Sequence, residues 1–242
     1  LGILHLEQNE FSKSEEVLRK VIELDPDHSD ARLYMALGKR AGGEREDAVA
    51  LLEVAEELDR QNANYKKWLG LLSLETGDLV MALEYTNRSI ELDPQDISVY
   101  SQLGAILNEM DDFDLAIKSY TAGLKVDPDD MRCRAGLAST LIKLGKLDEA
   151  KREIIEANKK GGEEHPMVLS VSALIDSFSG QKQEALGKIE QVLTTESSSL
   201  DILLLAHQLM VNLEEDEKAE EILETMQNLA PDDARVMTAL LA

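Results

Sequence analysis

The sequence is poor in cysteine, in aromatic residues and in long apolar runs, and each shortage excludes a class of protein. The single cysteine, Cys133, excludes an internal disulfide and is compatible with both the cytoplasm and a periplasm. Aromatic residues make up only 4% of the chain, and Leu and Ala dominate its apolar residues, which favours helices over strands. Apolar runs such as 202–206 are far too short to span a membrane.

Basic residues are outnumbered as well, with 25 Lys and Arg against 48 Asp and Glu and a net charge of −23. Phosphate binding needs clustered Lys and Arg, so the charge argues against nucleic acid and against an anionic membrane surface. It permits a basic partner, and it is equally explained as a charged exterior that keeps a helical array in solution.

An internal repeat is the strongest positive signal in the chain. Pro26, Pro94 and Pro128 lie on a grid of 34 residues, with Arg60 in the vacant place. Alanines form a second grid with the same period, which shifts by one residue before its last two members: Ala48, Ala82, Ala116, Ala150, Ala185 and Ala219. Two grids with one period predict an array of equivalent structural units.

The residue types on these grids predict helical hairpins. Small side chains at two places in each unit let two antiparallel helices approach closely. Four glycines share the place where a first helix would end, and glycine accepts the left-handed conformation there without strain: Gly43, Gly77, Gly145 and Gly180. Proline stops the second helix. Each hairpin leaves an apolar face that only a neighbouring hairpin can cover, so the units are expected to stack.

The pattern resembles the tetratricopeptide repeat (TPR) family over essentially the whole chain. The resemblance implies an all-α fold, an α-α superhelix, with residues 1–242 as a single TPR solenoid of antiparallel helix pairs. The predicted units are 1–28 (partial), 29–62, 63–96, 97–130, 131–165, 166–199 and 200–233, with 234–242 as the start of a further helix.

Two stretches interrupt the rhythm. The segment 159–166 carries an extra residue and two glycines, which predicts a changed angle between repeats or, alternatively, a domain boundary. The Ser/Thr-rich stretch 194–199 joins the two units that depart most from the family pattern. Both chain ends fall inside a repeat and Leu1 is not Met, so we expect the array and the native N-terminus to extend further.

No motif for catalysis, a metal or a cofactor is recognisable, so the chain is predicted not to be an enzyme and to need no cofactor. The four histidines have no paired spacing with Cys or carboxylates. Cys133 occupies an inward place in a first helix, where packing explains it better than a reactive thiol. The acidic run 214–217 lacks the spacing of a calcium loop.

The resemblance also implies where a partner binds, because first helices of this family line a concave groove. Its groove positions select eleven candidate residues in this sequence: Tyr34, Leu37, Lys67, Trp68, Leu71, Gln102, Arg132, Leu174, Phe178, Leu204 and Gln208. Tyr34 and Trp68 would form an aromatic ladder, or else pack as core. Lys67, Gln102 and Arg132 partly resemble the carboxylate clamp of some relatives, but Leu71 and Gly136 replace two of its polar residues.

Three functions remain open at this point. The first is a scaffold that binds a peptide or helix of a partner protein in the groove, without nucleic acid and without membrane insertion. The second is a structural spacer in a cell-envelope secretion or polysaccharide-export assembly, and the third is the docking region of a larger enzyme. A band of basic residues in the fifth unit is either solvated or a patch for an acidic partner: Arg132, Arg134, Lys143, Lys146, Lys151 and Arg152.

Overall fold

The structure, a computed structural model, describes residues 1–194 and 199–241, and over these residues it is built of helices without any strand. The chain divides into two compact units, Leu1–Gln95 and Asp96–Ala242. Each consists of helix pairs packed on one another, so the predicted all-α fold class with TPR-type antiparallel pairs is confirmed. The interpretation of residues 1–242 as a single solenoid stays a prediction.

The first unit contains six helices that form three consecutive hairpins. Their bounds are α1 Gly2–Glu7, α2 Phe11–Leu24, α3 Ser29–Ala41, α4 Arg45–Leu58, α5 Ala63–Glu75 and α6 Leu79–Leu92. Its core contains Ala48 of α4 and Leu69 of α5, and Trp68 packs against this core from its rim.

The second unit contains the remaining nine α-helices of the described residues. Their bounds are α7 Ile97–Glu109, α8 Phe113–Val126, α9 Met131–Lys143, α10 Leu147–Lys159, α11 Pro166–Phe178, α12 Lys182–Leu193, α13 Leu200–Asn212, α14 Asp216–Leu229 and α15 Ala234–Ala239. The first helices α7, α9, α11 and α13 lie side by side in this order.

The turn inside each hairpin passes through the left-handed region at one fixed place. Gly43, Gly77, Gly145 and Gly180 adopt φ values from 72° to 84° there, as their spacing predicted. In the other three hairpins the same place is taken by non-glycine residues with φ of 57° to 58°: Asn9, Asp111 and Glu214. Asn and Asp tolerate this conformation better than other non-glycine residues, so only Glu214 adopts it against the preference of its residue type.

Small residues lie where helices of a pair cross. Ala48, Ala82 and Ala116 are completely buried. A Cβ atom added to Gly104 on α7 would overlap the ring of Tyr120 on α8, which is itself buried. The close approach that small residues at two places in each unit predicted is thus confirmed at these helix crossings.

Helix ends are capped by side chains that recur with the repeat. Asp78 and Asp112 accept hydrogen bonds from backbone N–H groups in the first turns of α6 and α8, at 3.0 and 3.3 Å. Asp93 and Asp127, each just before a proline, accept from the N–H two residues later at 3.0 and 2.9 Å. The bonds to Asp78 and Asp112 satisfy N–H groups that a helix start leaves unpaired, and the bonds to Asp93 and Asp127 close the turns after α6 and α8.

The irregular segment before α11 is ordered by a short 3-10 helix, Gly162–Glu164, which follows Gly161 at φ 85°. Pro166 then begins α11. In the predicted Ser/Thr-rich connection 194–199, residues 195–198 lie outside the described residues. Among the helices of the described part, none is long and apolar enough to cross a membrane.

Candidate functional site

In the first unit, hydrogen bonds between side chains join two successive first helices, α3 and α5, near both ends. The hydroxyl of Tyr65, in the first turn of α5, donates to Asp30 in the first turn of α3 at 3.0 Å. At the other end, Nε of Arg40 on α3 donates to Glu75 on α5 at 2.9 Å. These two bonds place α3 and α5 within side-chain reach of each other at both ends.

Five candidate residues lie on these two helices, between the ties. Tyr34 and Leu37 lie on α3, and Lys67, Trp68 and Leu71 lie on α5, all of them half-buried. Leu37 and Trp68 pack against the core of the unit. The five residues thus lie on two helices joined at both ends, and each keeps part of its side chain in solvent. We call this surface the α3/α5 face.

A buried carboxylate organises one end of the α3/α5 face. Glu75 is almost completely buried and pairs with Arg40 and with Arg45, whose Nε lies 3.3 Å from its second oxygen. The guanidinium carbon of Arg40 also lies 5.7 Å from the ring centroid of Trp68, in a cation–π arrangement. Glu75 therefore holds the guanidinium groups of Arg40 and Arg45 together at this end of the face.

Lys66, the neighbour of Lys67, is engaged elsewhere. Its Nζ lies 2.8 Å from Glu56 on α4 and 5.2 Å from the ring centroid of Tyr85 on α6. Lys66 therefore ties α5 to the second helices on either side, while Lys67 belongs to the α3/α5 face.

In the second unit, the remaining candidates differ in how accessible they are. Arg132 and Gln208 are exposed, Gln102 and Leu204 are half-buried, and Phe178 is 55% exposed at the end of α11. Leu174, in contrast, is buried in the core cluster with Leu203 and other residues of α13. Its side chain packs inside the unit and is not presented to a partner.

The partial resemblance to a carboxylate clamp meets a steric limit at Gly136. A Cβ atom there would overlap the ring of Tyr120, so the basic side chain that the clamp needs at this place does not fit. Arg132 lies 3.6 Å from Asp130, which further offsets its charge. The second unit therefore lacks the donor set of that clamp.

Cys133 is fully buried, as predicted. Burial raises the pKa of its thiol, which keeps the sulfur protonated and weakly nucleophilic. Within the described residues, no group of His, Cys, Asp or Glu side chains is arranged to hold a metal ion.

A family model, the tetratricopeptide repeat, matches the chain over residues 5–72 and 107–175. These two ranges make up more than half of the chain. The chain belongs to the tetratricopeptide repeat family.

Solved structures of TPR proteins share the fold at low sequence identity. A tetratricopeptide repeat protein from Parabacteroides merdae matches with a TM-score of 0.74 at 16% identity, over 99% of this chain and 94% of its own. PilF from Pseudomonas aeruginosa matches with a TM-score of 0.67 at 20% identity, over 84% and 91%. YrrB, described as a TPR protein with an unusual peptide-binding site, matches with 0.55 at 17% identity, over 78% and 97%. No curated protein matches.

Two polar clusters of this TPR protein escaped sequence reasoning. One is the Arg40–Glu75–Arg45 group described above. The other joins Asn108 on α7 to Thr140 on α9 through Nδ2–Oγ1 and Oγ1–Oδ1 distances of 3.0 and 3.1 Å, in the interior of the second unit. Each cluster joins residues of two successive repeats. The only hint in the sequence is a polar residue at a place in the repeat that usually faces the core.

Proposed function

We propose that the chain is a non-catalytic scaffold that binds a peptide or helix of a partner protein on the α3/α5 face. The observation that carries the proposal is the half-buried set of Tyr34, Leu37, Trp68 and Leu71 near the Arg40–Glu75–Arg45 cluster. Large aromatic and apolar groups with partly exposed surfaces, ringed by polar groups, are the usual anchors of protein interfaces.

Three features support a protein partner over other ligands. Tetratricopeptide repeats generally serve as interaction modules, and the similar fold of YrrB carries a peptide-binding site by its description. The net charge of −23 opposes nucleic acid. The outward residues Gln102, Arg132, Phe178, Leu204 and Gln208 would give the second unit a further, more polar contact surface.

The orientation of Trp68 suggests how the face would recognise a ligand. Arg40 covers part of the ring and is itself held by buried Glu75, so the indole and the guanidinium are positioned before any partner arrives. An apolar side chain of the partner would rest on Trp68 and Leu71, while a backbone carbonyl of the partner would face Arg40. Such prior ordering reduces the entropy lost on binding.

A cross-linking experiment in the native host tests the proposal. A photoreactive amino acid replaces Lys67 on the α3/α5 face, and a matched control places it at Val80, which is 70% exposed on the second helix α6. We expect a discrete protein adduct from position 67 and none from position 80. Adducts from position 80 alone would contradict groove binding and favour the structural spacer.

The variant Trp68→Ala measures how much this side chain contributes to the affinity for the cross-linked partner. We expect the dissociation constant for the cross-linked partner to rise at least about tenfold, as for an aromatic interface anchor. Circular dichroism and thermal melting establish that the variant is folded, because Trp68 also packs against the core. Unchanged affinity in the folded variant would show that Trp68 does not contact the partner.

A further inference from the structure

A small cavity lies between α2 and α3 in the first unit. Its volume is about 70 Å³, and residues of both helices and of the turn after α3 line it, among them Phe11, Ser12, Met35, Gly38, Lys39 and Gly42. Met35, Gly38 and Gly42 follow one another at the three- and four-residue spacing of one helix face, and Tyr34 and Leu37 lie on another face of α3. We call this space the α2/α3 cavity.

The α2/α3 cavity exists because α3 carries no side chain at Gly38. In the described part of the chain, a Cβ atom added there would meet, outside the backbone of α3, one atom within 4 Å, the Cδ1 methyl of Leu6 at 3.3 Å. A leucine methyl can rotate away, so the fold does not need glycine here, unlike Gly104 under the ring of Tyr120. Glycine within a helix is less stable than alanine. The chain thus carries an unfavourable residue whose structural effect is to leave this space open.

The following repeat fills the equivalent place. One repeat later, Phe11 and Gly38 correspond to Arg45 and Leu72, and both of these are buried. Leu72 belongs to the core of the first unit, and Arg45 pairs with Glu75. Two stacked hairpins therefore accept a filled space at this place, so the α2/α3 cavity is a feature of these particular residues rather than of the repeat.

The three charged residues that line the cavity pair with one another. Nζ of Lys39 lies 3.2 Å from Glu15 on α2 and 2.9 Å from Glu44, the N-cap residue of α4. Glu15 also pairs with Arg19. An ion entering the cavity would lose its hydration and compete with these pairs, which is unfavourable. The lining therefore favours an uncharged occupant.

The size of the cavity limits the occupant further. Its volume of about 70 Å³ corresponds to roughly two or three groups the size of a water molecule. A pocket for a whole small molecule takes about 300 Å³ or more. Phe11 and Met35 give its wall apolar surface. The space therefore suits the branched end of a short aliphatic side chain such as valine, and it is too small for an aromatic ring.

We infer that the α2/α3 cavity is an anchor pocket for one short aliphatic side chain, of the size of valine, from a partner polypeptide. Protein interfaces commonly place single side chains of one partner in such pockets of the other. The inference rests on the proposed scaffold function, but it concerns a different surface, because α2, another face of α3 and the N-cap of α4 line the cavity. The pocket adds a contact that selects by size.

Disulfide tethering tests the inference with the full chain. Ser12, exposed at the mouth of the cavity, is replaced by Cys, while the native Cys133 is fully buried. The variant is equilibrated under a reductant with equal amounts of three cysteamine-amide disulfides, which carry an isobutyryl, a phenylacetyl or a succinyl group. Mass spectrometry measures each adduct. We expect at least about fivefold more isobutyryl adduct than either other, because the phenyl ring is too large and the succinyl carboxylate is charged.

Two further substitutions locate this preference. Gly38→Leu, added to Ser12→Cys, introduces the residue that the following repeat carries at this place, and it should reduce the isobutyryl preference to less than about twofold; Gly38→Ala should reduce it partly. The matched control is Glu46→Cys, exposed one repeat after Ser12 and beside the place that Leu72 fills. It should show no preference. Circular dichroism and thermal melting establish that each variant is folded.

A photoreactive amino acid at residue 12 tests for a polypeptide occupant in the native host. We expect a protein adduct that Gly38→Leu abolishes, while the adduct from residue 67 persists. Equal labelling by the three groups, the same preference at residue 46, or a preference that folded Gly38→Leu and Gly38→Ala leave unchanged would overturn the inference. So would an adduct from residue 12 that Gly38→Leu does not affect. Loss of the adduct from residue 67 alone would instead count against the α3/α5 face.

Discussion

Single glycines decide how closely the helices of a pair approach. Gly104 lies under the buried ring of Tyr120, where any Cβ atom would overlap the ring. Gly187 on α12 also lies within a helix, but a Cβ atom there would have nothing within 4 Å. Both glycines are in helices, but only Gly104 is crowded. Comparing alanine substitutions at the two positions therefore distinguishes the effect of packing from that of helix propensity.

We predict that Gly104→Ala destabilises the chain by about 1–3 kcal/mol, the usual cost of overpacking a core. Gly187→Ala should stabilise it by about 0.5–1 kcal/mol, because alanine loses less backbone entropy in a helix. Urea unfolding of both variants against the parent measures the difference. A neutral or stabilising Gly104→Ala would show that the close approach is not sterically required.

At the scale of helices, a buried ion-pair cluster joins successive repeats in addition to the packing of their apolar residues. Glu75 of α5 pairs with Arg40 of α3 and Arg45 of α4, so one carboxylate joins three helices of the first unit. The side chains of Arg45 and Glu75 are 9% and 4% exposed. Removing one partner of such a group leaves charge buried without its counterpart.

We predict that Glu75→Ala destabilises the chain by about 3–5 kcal/mol, and that it weakens partner binding to the α3/α5 face because Arg40 loses its position. The matched control is Glu91→Ala, which removes the exposed Arg88–Glu91 pair of 2.7 Å and should cost less than about 1 kcal/mol. Thermal melting of the two variants tests the contrast. Equal changes in melting temperature for the two variants would show that the buried Glu75 cluster stabilises the chain no more than the exposed Arg88–Glu91 pair.

For the whole molecule, the sequence predicted the features that repeat and missed those that do not. The helix-pair fold, the left-handed glycines and the buried alanines follow from residue types recurring every 34 positions, since each type meets the same neighbours in each unit. Pairs such as Arg40–Glu75 occur once, and their formation depends on two unrelated positions and their rotamers. The repeat pattern therefore cannot predict such pairs.

The candidate site shows the same limit. The position of a residue within the repeat predicts the direction of its side chain. Whether that side chain is buried depends on the neighbouring helix that packs against it. Leu174 lies at a groove position by number, but apolar residues of α13 cover it, because burying an apolar side chain of this size stabilises by about 2 kcal/mol. Trp68, in contrast, is only half-buried and keeps an exposed surface.

The central claim is that a partner covers the α3/α5 face, and hydroxyl-radical footprinting tests it most directly. The full chain is oxidised with and without the partner that cross-links to position 67, and modification of each aromatic side chain is measured by mass spectrometry. We predict at least fivefold less oxidation of Tyr34 and Trp68 in the complex, with Tyr85 on α6 unchanged. Protection of Tyr85 with Tyr34 and Trp68 unaffected would contradict the account.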